Sequence, residues 1–126
     1  MDGPWTVILV EEVRDWHLRL EREDPQTQDL VEAAINLLEA EGPNLHRPMI
    51  DTISGSRVPN LKELRPASAG RSEIRILFVF DPARRAILLV AGDKAGSWNR
   101  WYRKHIQIAE RRYQIWLDGG YGMEEN

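Results

Sequence analysis

The chain has 126 residues, no cysteine and 42% hydrophobic residues, so one domain over 1–126 with a real core is expected, and a disulfide scaffold or thiolate metal site is not. The net charge of −3 hides a split: residues 1–56 carry −8, residues 57–112 carry +8 and residues 113–126 carry −3. His17, His46 and His105 fall in no paired ligand spacing, and no run approaches the length of a membrane span. Val7 to Val10 is too short and too quickly followed by acids for a signal peptide, so a cytoplasmic protein needing no cofactor and no membrane is expected.

Trp5 to Val10 (WTVILV) is β-branched and apolar, a short buried strand. From Glu11, the spacing of Val13, Trp16 and Leu20 predicts an amphipathic helix. Asp24-Pro25 ends it and opens a second helix, with Asp24 as N-cap and Pro25 in the first turn. Its predicted stripe is Leu30, Ala33, Ala34, Leu37 and Leu38, and Gly42-Pro43 stops it. The two helices read as a hairpin. Residues 44–59 lack periodicity and read as an irregular connection with a short extended piece at Met49 to Ile53.

Three strand-like runs follow: NLKELRP, SEIRILFVFDP and RRAILLVAGDK. Turns at Pro66 to Gly70 and Asp81 to Arg84 favour an antiparallel meander. Leu64, Ile74, Ile76, Phe78 and Phe80 fit a buried sheet face, while Arg65 and Arg75 alternate away from it. After Gly96 the period is helical again, through Trp98, Tyr102, His105, Ala109, Tyr113 and Trp116, with Ser97 as a possible cap and Gly119-Gly120 as the stop before a frayed acidic tail. The order predicts an α+β domain: a small, mostly antiparallel sheet with an N-terminal αα-hairpin and a C-terminal helix.

Familiar nucleophile and nucleotide motifs are absent, and Gly92 to Gly96 (GDKAG) resembles a phosphate loop only loosely. What remains is a basic and aromatic set: Glu63, Arg65, Arg75, Asp93, Lys94, Trp98, Trp101 and Tyr102. Guanidinium groups on a rigid sheet suit phosphate, because they donate paired hydrogen bonds and stay charged. A carboxylate or a perturbed lysine could take a proton from a ribose 2′-OH, and an aromatic ring could stack a base. The competing reading is a solvated sheet face with cross-strand ion pairs and core aromatics.

The strings RPMIDTISGSRVPNLKELRP, EIRILFVFDP and LLVAGDKAGSWNRWYRKHIQIAERRYQIWL resemble the RelE/ParE toxin superfamily, and most of all its HigB-like, phage-derived branch in type II toxin–antitoxin modules. The resemblance covers about residues 5–118. It implies a metal-independent mRNA endonuclease, associated with the ribosome, in which the substrate's own 2′-OH attacks the adjacent phosphate. A cognate helix-turn-helix antitoxin would hold it inactive. By motif, Arg65, Arg75 and Lys94 correspond to the cations that stabilise the phosphate, and Tyr102 to an aromatic near the final helix. Glu63 stands where the ribosome-dependent nucleases carry lysine. With these five as the catalytic set, Arg57, Lys62, Arg71, Trp98 and Arg100 are the candidates for holding RNA. ParE-like relatives share the fold and inhibit DNA gyrase without cutting RNA, so a non-enzymatic inhibitor is the alternative. That activity would need an exposed apolar C-terminal surface, for which Trp116 and Leu117 are candidates. An inactive relative that only binds antitoxin is a third class.

Overall fold

The structure, a computed structural model, describes residues 4–122. Strand β1 (Thr6–Leu9) leads into α1 (Glu11–Glu23) and α2 (Pro25–Glu41), and a single 3-10 turn over Gly42–Asn44 follows. Then come β2 (Ile50–Thr52), β3 (Lys62–Leu64), β4 (Ile74–Asp81), β5 (Arg85–Asp93) and α3 (Trp98–Leu117). The five strands form one sheet in the order β1-β5-β4-β3-β2. β2, β3, β4 and β5 pair antiparallel, as the short turns require, and β1 joins parallel to β5 at the edge. This is the expected α+β architecture with one parallel pair added. The extended piece at Met49 to Ile53 is β2, drawn into the sheet by pairing with β3.

The helical hairpin forms where expected. Asp24 caps α2 with both oxygens, accepting from the Thr27 amide at 3.3 Å and the Thr27 hydroxyl at 2.7 Å. That bond also changes which face of α2 is buried. The buried residues are Thr27, Val31, Ala34 and Leu38, whereas Ala33 and Leu37 are exposed and Leu30 is half-buried. The predicted stripe is rotated because a threonine whose hydroxyl is satisfied by the cap can sit on the inner face, which hydrophobic periodicity does not register. Gly42 closes the helix at φ 53°, where any Cβ would collide with the Trp5 ring.

The sheet's apolar side chains fill two layers. Leu64, Ile74, Ile76 and Phe78 are buried and Phe80 is half-buried, as the alternation predicts. Leu77, Val79 and Val90 are buried too, so β4 and β5 are covered on both sides. α3 packs on β5 and β4, and its buried line is Trp101, Ala109 and Trp116. Trp101 replaces Trp98 as the anchor: Trp98 is exposed, and Tyr102, His105 and Tyr113 are half-buried. Ser97 does not cap α3 with its hydroxyl. Asp93 secures this turn instead, accepting from the Ala95 amide at 3.0 Å and the Glu73 amide at 2.9 Å. The helix stops at Gly119-Gly120 as read, with the Gly120 amide on the Ile115 carbonyl at 2.8 Å. The end of the acidic tail, 123–126, lies outside the described residues.

Candidate active site

The site begins with the alternation along β3. Glu63 and the following Arg65 take one side of the sheet, Lys62 and Leu64 the other. Glu63 stands opposite Leu77, and Arg75 opposite Gly92, so Arg75 shares the side of Glu63. α3 covers this side. Trp101 lies against Gly92, where an added Cβ would come within 2.9 Å of the indole nitrogen. Gly92 is therefore a packing residue, and two amides that a phosphate loop would offer are already engaged, that of Ala95 by the carboxylate of Asp93 and that of Lys94 by the Glu73 carbonyl at 3.0 Å.

A buried carboxylate organises the cluster. Glu63 is 1% exposed. Its Oε1 accepts from Arg65 Nε at 2.8 Å and lies 4.0 Å from Arg75 Nε. Its Oε2 accepts from the Tyr102 hydroxyl. Arg65 also donates from Nη2 to Asp51 Oδ2 at 3.1 Å, across β2. Arg75 donates from Nη1 to the Ile74 carbonyl at 2.8 Å, while its buried Nε makes no hydrogen bond. Charges at this depth persist because opposite charges face one another.

Lys94 completes the set from below. It is 1% exposed, with Nζ 3.0 Å from the centroid of the Trp98 ring, 5.7 Å from that of Tyr102 and 3.9 Å from Glu73 Oε2. The three expected cations thus converge, but not as an open basic surface. The guanidinium groups share a carboxylate, and the ammonium is roofed by aromatic rings. The sequence did not single out Asp51 or Glu73 as counter-ions. Asp51 belongs to a three-residue strand too short for periodicity to expose, and Glu73 to a turn.

The environment shifts four of these groups. The hydrogen bond to Glu63 raises Arg65 further above the usual guanidinium range. Burial, and then the neighbouring Arg75 charge, lowers the Lys94 ammonium. Burial followed by the bond to Glu63 pushes the Tyr102 phenol up to about 12. The Thr52 amide holds the Asp51 carboxyl below its ordinary value, with Arg47 and Arg65 adding to it.

A cleft of about 290 Å³ opens onto the cluster between Thr52, Ile53, Ser54, Glu63, Arg65, Tyr102 and Ile106. Of the residues expected to hold RNA, Trp98 is the roof over Lys94, and its indole N–H donates to Glu73 Oε1 at 3.2 Å. Arg57 stands on a loop against α3, with an exposed guanidinium. Arg71 and Arg100 are exposed, on the turn before β4 and the first turn of α3. Lys62 is not brought to the cluster: adjacent to Glu63, it points through the other side of the sheet and donates to Thr52 Oγ1 at 3.1 Å. Trp116, a candidate for an exposed apolar surface, is 4% exposed and packs under Arg85, because it continues the line of Trp101 and Ala109 into the core. Leu117 and Ile115 remain exposed. Among the described residues, no three His, Cys, Asp or Glu side chains gather as a metal-ligand set, and no helix is long and apolar enough to cross a membrane.

Residues 19–114 match the family described as phage derived protein Gp49-like (DUF891). The chain belongs to the Gp49-like family. Two Mycobacterium tuberculosis (strain ATCC 25618 / H37Rv) relatives are similar over most of this length. The chain is 54% identical to "Putative toxin HigB2" over 86% of its own residues and 52% of that protein. It is 50% identical to "Putative toxin HigB3" over 92% of its own residues and 96% of that protein. The chain therefore spans about half the length of the first relative and nearly all of the second. No solved structure gives a significant match. The family match encloses every residue of the cluster, from Asp51 to Tyr102.

Proposed function

We propose that this Gp49-like protein is the toxin of a toxin–antitoxin pair and acts as an RNA endonuclease. The supporting observation is the convergence of Arg65, Arg75 and Lys94 around Glu63 and Tyr102, with Glu63, Arg65 and Tyr102 lining an open cleft. Two relatives at 50% identity or more that are named as toxins support the toxin reading. In the proposed reaction a ribose 2′-oxygen attacks the adjacent phosphorus and the bond to the 5′-oxygen breaks. This leaves a 2′,3′-cyclic phosphate and a 5′-hydroxyl. Glu63 takes the 2′ proton, the departing 5′-oxygen takes a proton from water, and the cations stabilise the charge that gathers on the phosphoryl oxygens. Substrate phosphate would draw Arg65 and Arg75 from the carboxylate they share, leaving Glu63 free to act as base.

The test is to map transcript ends after brief induction of the chain. Clustered new 5′-hydroxyl ends inside reading frames, absent with Arg65→Ala, are expected. Gyrase-linked DNA breaks without such ends would overturn the reading in favour of a non-enzymatic inhibitor. Blocking the scissile 2′-OH by 2′-deoxy substitution is expected to abolish cleavage. A neighbouring helix-turn-helix protein is expected to co-purify with the chain and restore growth, and failure to find such a partner would remove the antitoxin from the proposal.

A further inference from the structure

A second hollow adjoins the cluster. It measures about 720 Å³, within the range of roughly 300–1,000 Å³ typical of ligand pockets. Its lining includes Arg57, Asn99, Tyr102, Arg103, Ile106 and Gln107. Tyr102 and Ile106 also line the cleft over Glu63, so the two hollows share a wall.

One wall is the exposed face of α3. Asn99, Arg103, Ile106 and Gln107 recur at helical spacing, so they stand in line. The other wall is the loop at 54–57, which Glu110 fastens to the helix. Glu110 Oε2 accepts from the Ser56 hydroxyl at 2.9 Å and the Arg57 amide at 2.7 Å, and the Arg57 guanidinium closes on Oε1 at 3.6 Å. With Glu110 engaged by the loop, the groove presents two cations, a half-buried Tyr102 and Ile106, and two exposed primary amides.

We propose that this groove is a nucleotide subsite that reads the RNA base next to the scissile phosphate. This proposal rests on the RNA-cleaving function proposed above. Arg57 and Arg103 hold the flanking backbone by charge. The base lies over Tyr102 and Ile106, and Asn99 and Gln107 read its edge. A side-chain amide offers a donor and an acceptor side by side, the pairing that distinguishes one base edge from another. Single-stranded RNA is read in this way, by stacking together with hydrogen bonds to exposed edges. Two arginines against the one carboxylate of Glu110, and the wall shared with the cleft over Glu63 and Arg65, favour RNA as the occupant.

Asn99 and Gln107 are exposed helix residues, so alanine at both positions leaves folding intact, which circular dichroism and thermal melting check. Two measurements then compare this double variant with the wild-type chain. The first maps transcript ends after brief induction. The second measures binding of four short 2′-O-methyl oligoribonucleotides that differ at one base. The wild type is expected to prefer one base beside the cut by at least about fivefold, the lower limit of discrimination by a paired base contact. The variant is expected to keep cutting while losing that preference. Unchanged preference in an active variant overturns the subsite and leaves the nuclease reading standing. So does an equal loss at all sequences. A wild type that cuts nothing yet binds the oligonucleotides with a preference the variant lacks overturns the nuclease reading and keeps the subsite. A wild type that neither cuts nor discriminates overturns both.

Discussion

Replacing Arg75 with methionine separates charge from packing. The side chain is only 14% exposed, so it lies under α3 and its stem contributes to the core. Methionine keeps most of that stem and deletes the guanidinium. On the debit side are the bond from Nη1 to the Ile74 carbonyl, about 1.5–3 kcal/mol for a charged donor, and a weak attraction to Glu63 at 4.0 Å. Against this, a buried Nε without a hydrogen bond disappears, an imperfection of about 1–3 kcal/mol, together with repulsion of Lys94. The balance lies between a gain of about 1.5 and a loss of about 2 kcal/mol. If Arg75 donates to developing phosphate charge, cleavage should fall by about 10²–10³. Denaturant midpoints give the first quantity, and single-turnover cleavage of a reporter transcript with ribosomes present gives the second. A soluble variant that melts like the wild type and cleaves within threefold of it would refute the catalytic assignment. A stability loss well above the balance would instead make Arg75 a structural counter-ion of Glu63.

Tyr102→Phe removes the hydroxyl that Glu63 accepts and is expected to cost about 1–3 kcal/mol, because a buried carboxylate oxygen loses its donor. The difference in ultraviolet absorbance between wild type and this variant should titrate near pH 12, and a step near pH 10 would show a freely solvated phenol. Glu110→Gln is expected to cost about 1–2 kcal/mol through weakened bonds to Ser56 and Arg57. The folded Glu110 carboxyl is depressed below 4.5, so its contribution is complete above the unfolded value and is lost as pH falls through the folded one. The stability gap between wild type and Glu110→Gln should therefore hold at neutral pH and shrink as pH falls below 4.5, and a gap independent of pH would refute the linkage. Lys94 works in the opposite direction: its ammonium is depressed, so the penalty of burying it is present at neutral pH and lifts as pH rises toward 10.5. In Arg75→Met the Lys94 ammonium should titrate higher than in the wild type, as followed by NMR of the side-chain methylene adjacent to Nζ.

Much of this was legible in the sequence because the relevant signals are local. Asp24 before Pro25, the strand within WTVILV and the Gly-Gly stop each act within a few residues, and each stands where the pattern placed it, although β1, expected to be buried, is an edge strand that is half-buried at Val7 to Leu9 and exposed at Thr6. Alternation also placed Glu63, Arg65 and Arg75 on a common side of the sheet. Alternation could not say what covers that side. The docking of α3 through Trp101 onto Gly92 turned an apparent outer face into a buried ion network, and hid Lys94 beneath Trp98. Long-range pairing was illegible for the same reason. Nothing near Thr6 announces that its strand will lie parallel to Arg85. The same limit applies to Lys62, which a list of cations could not separate from Arg65 although they face opposite sides.

The pairing of β1 with β5 has a consequence for how the molecule comes into being. Strand β1 pairs with β5, nearly eighty positions downstream (Thr6 with Arg85). A chain still in synthesis therefore carries an unmated apolar strand beside a helical hairpin built from local contacts. Every cluster member lies beyond that hairpin, and Tyr102, the last of them, arrives with α3. A chain made only as far as β5 cannot hold the assembled cluster, because Tyr102 has not yet been added to Glu63. By then the acidic hairpin has long been outside the tunnel, available to whatever meets the nascent protein first.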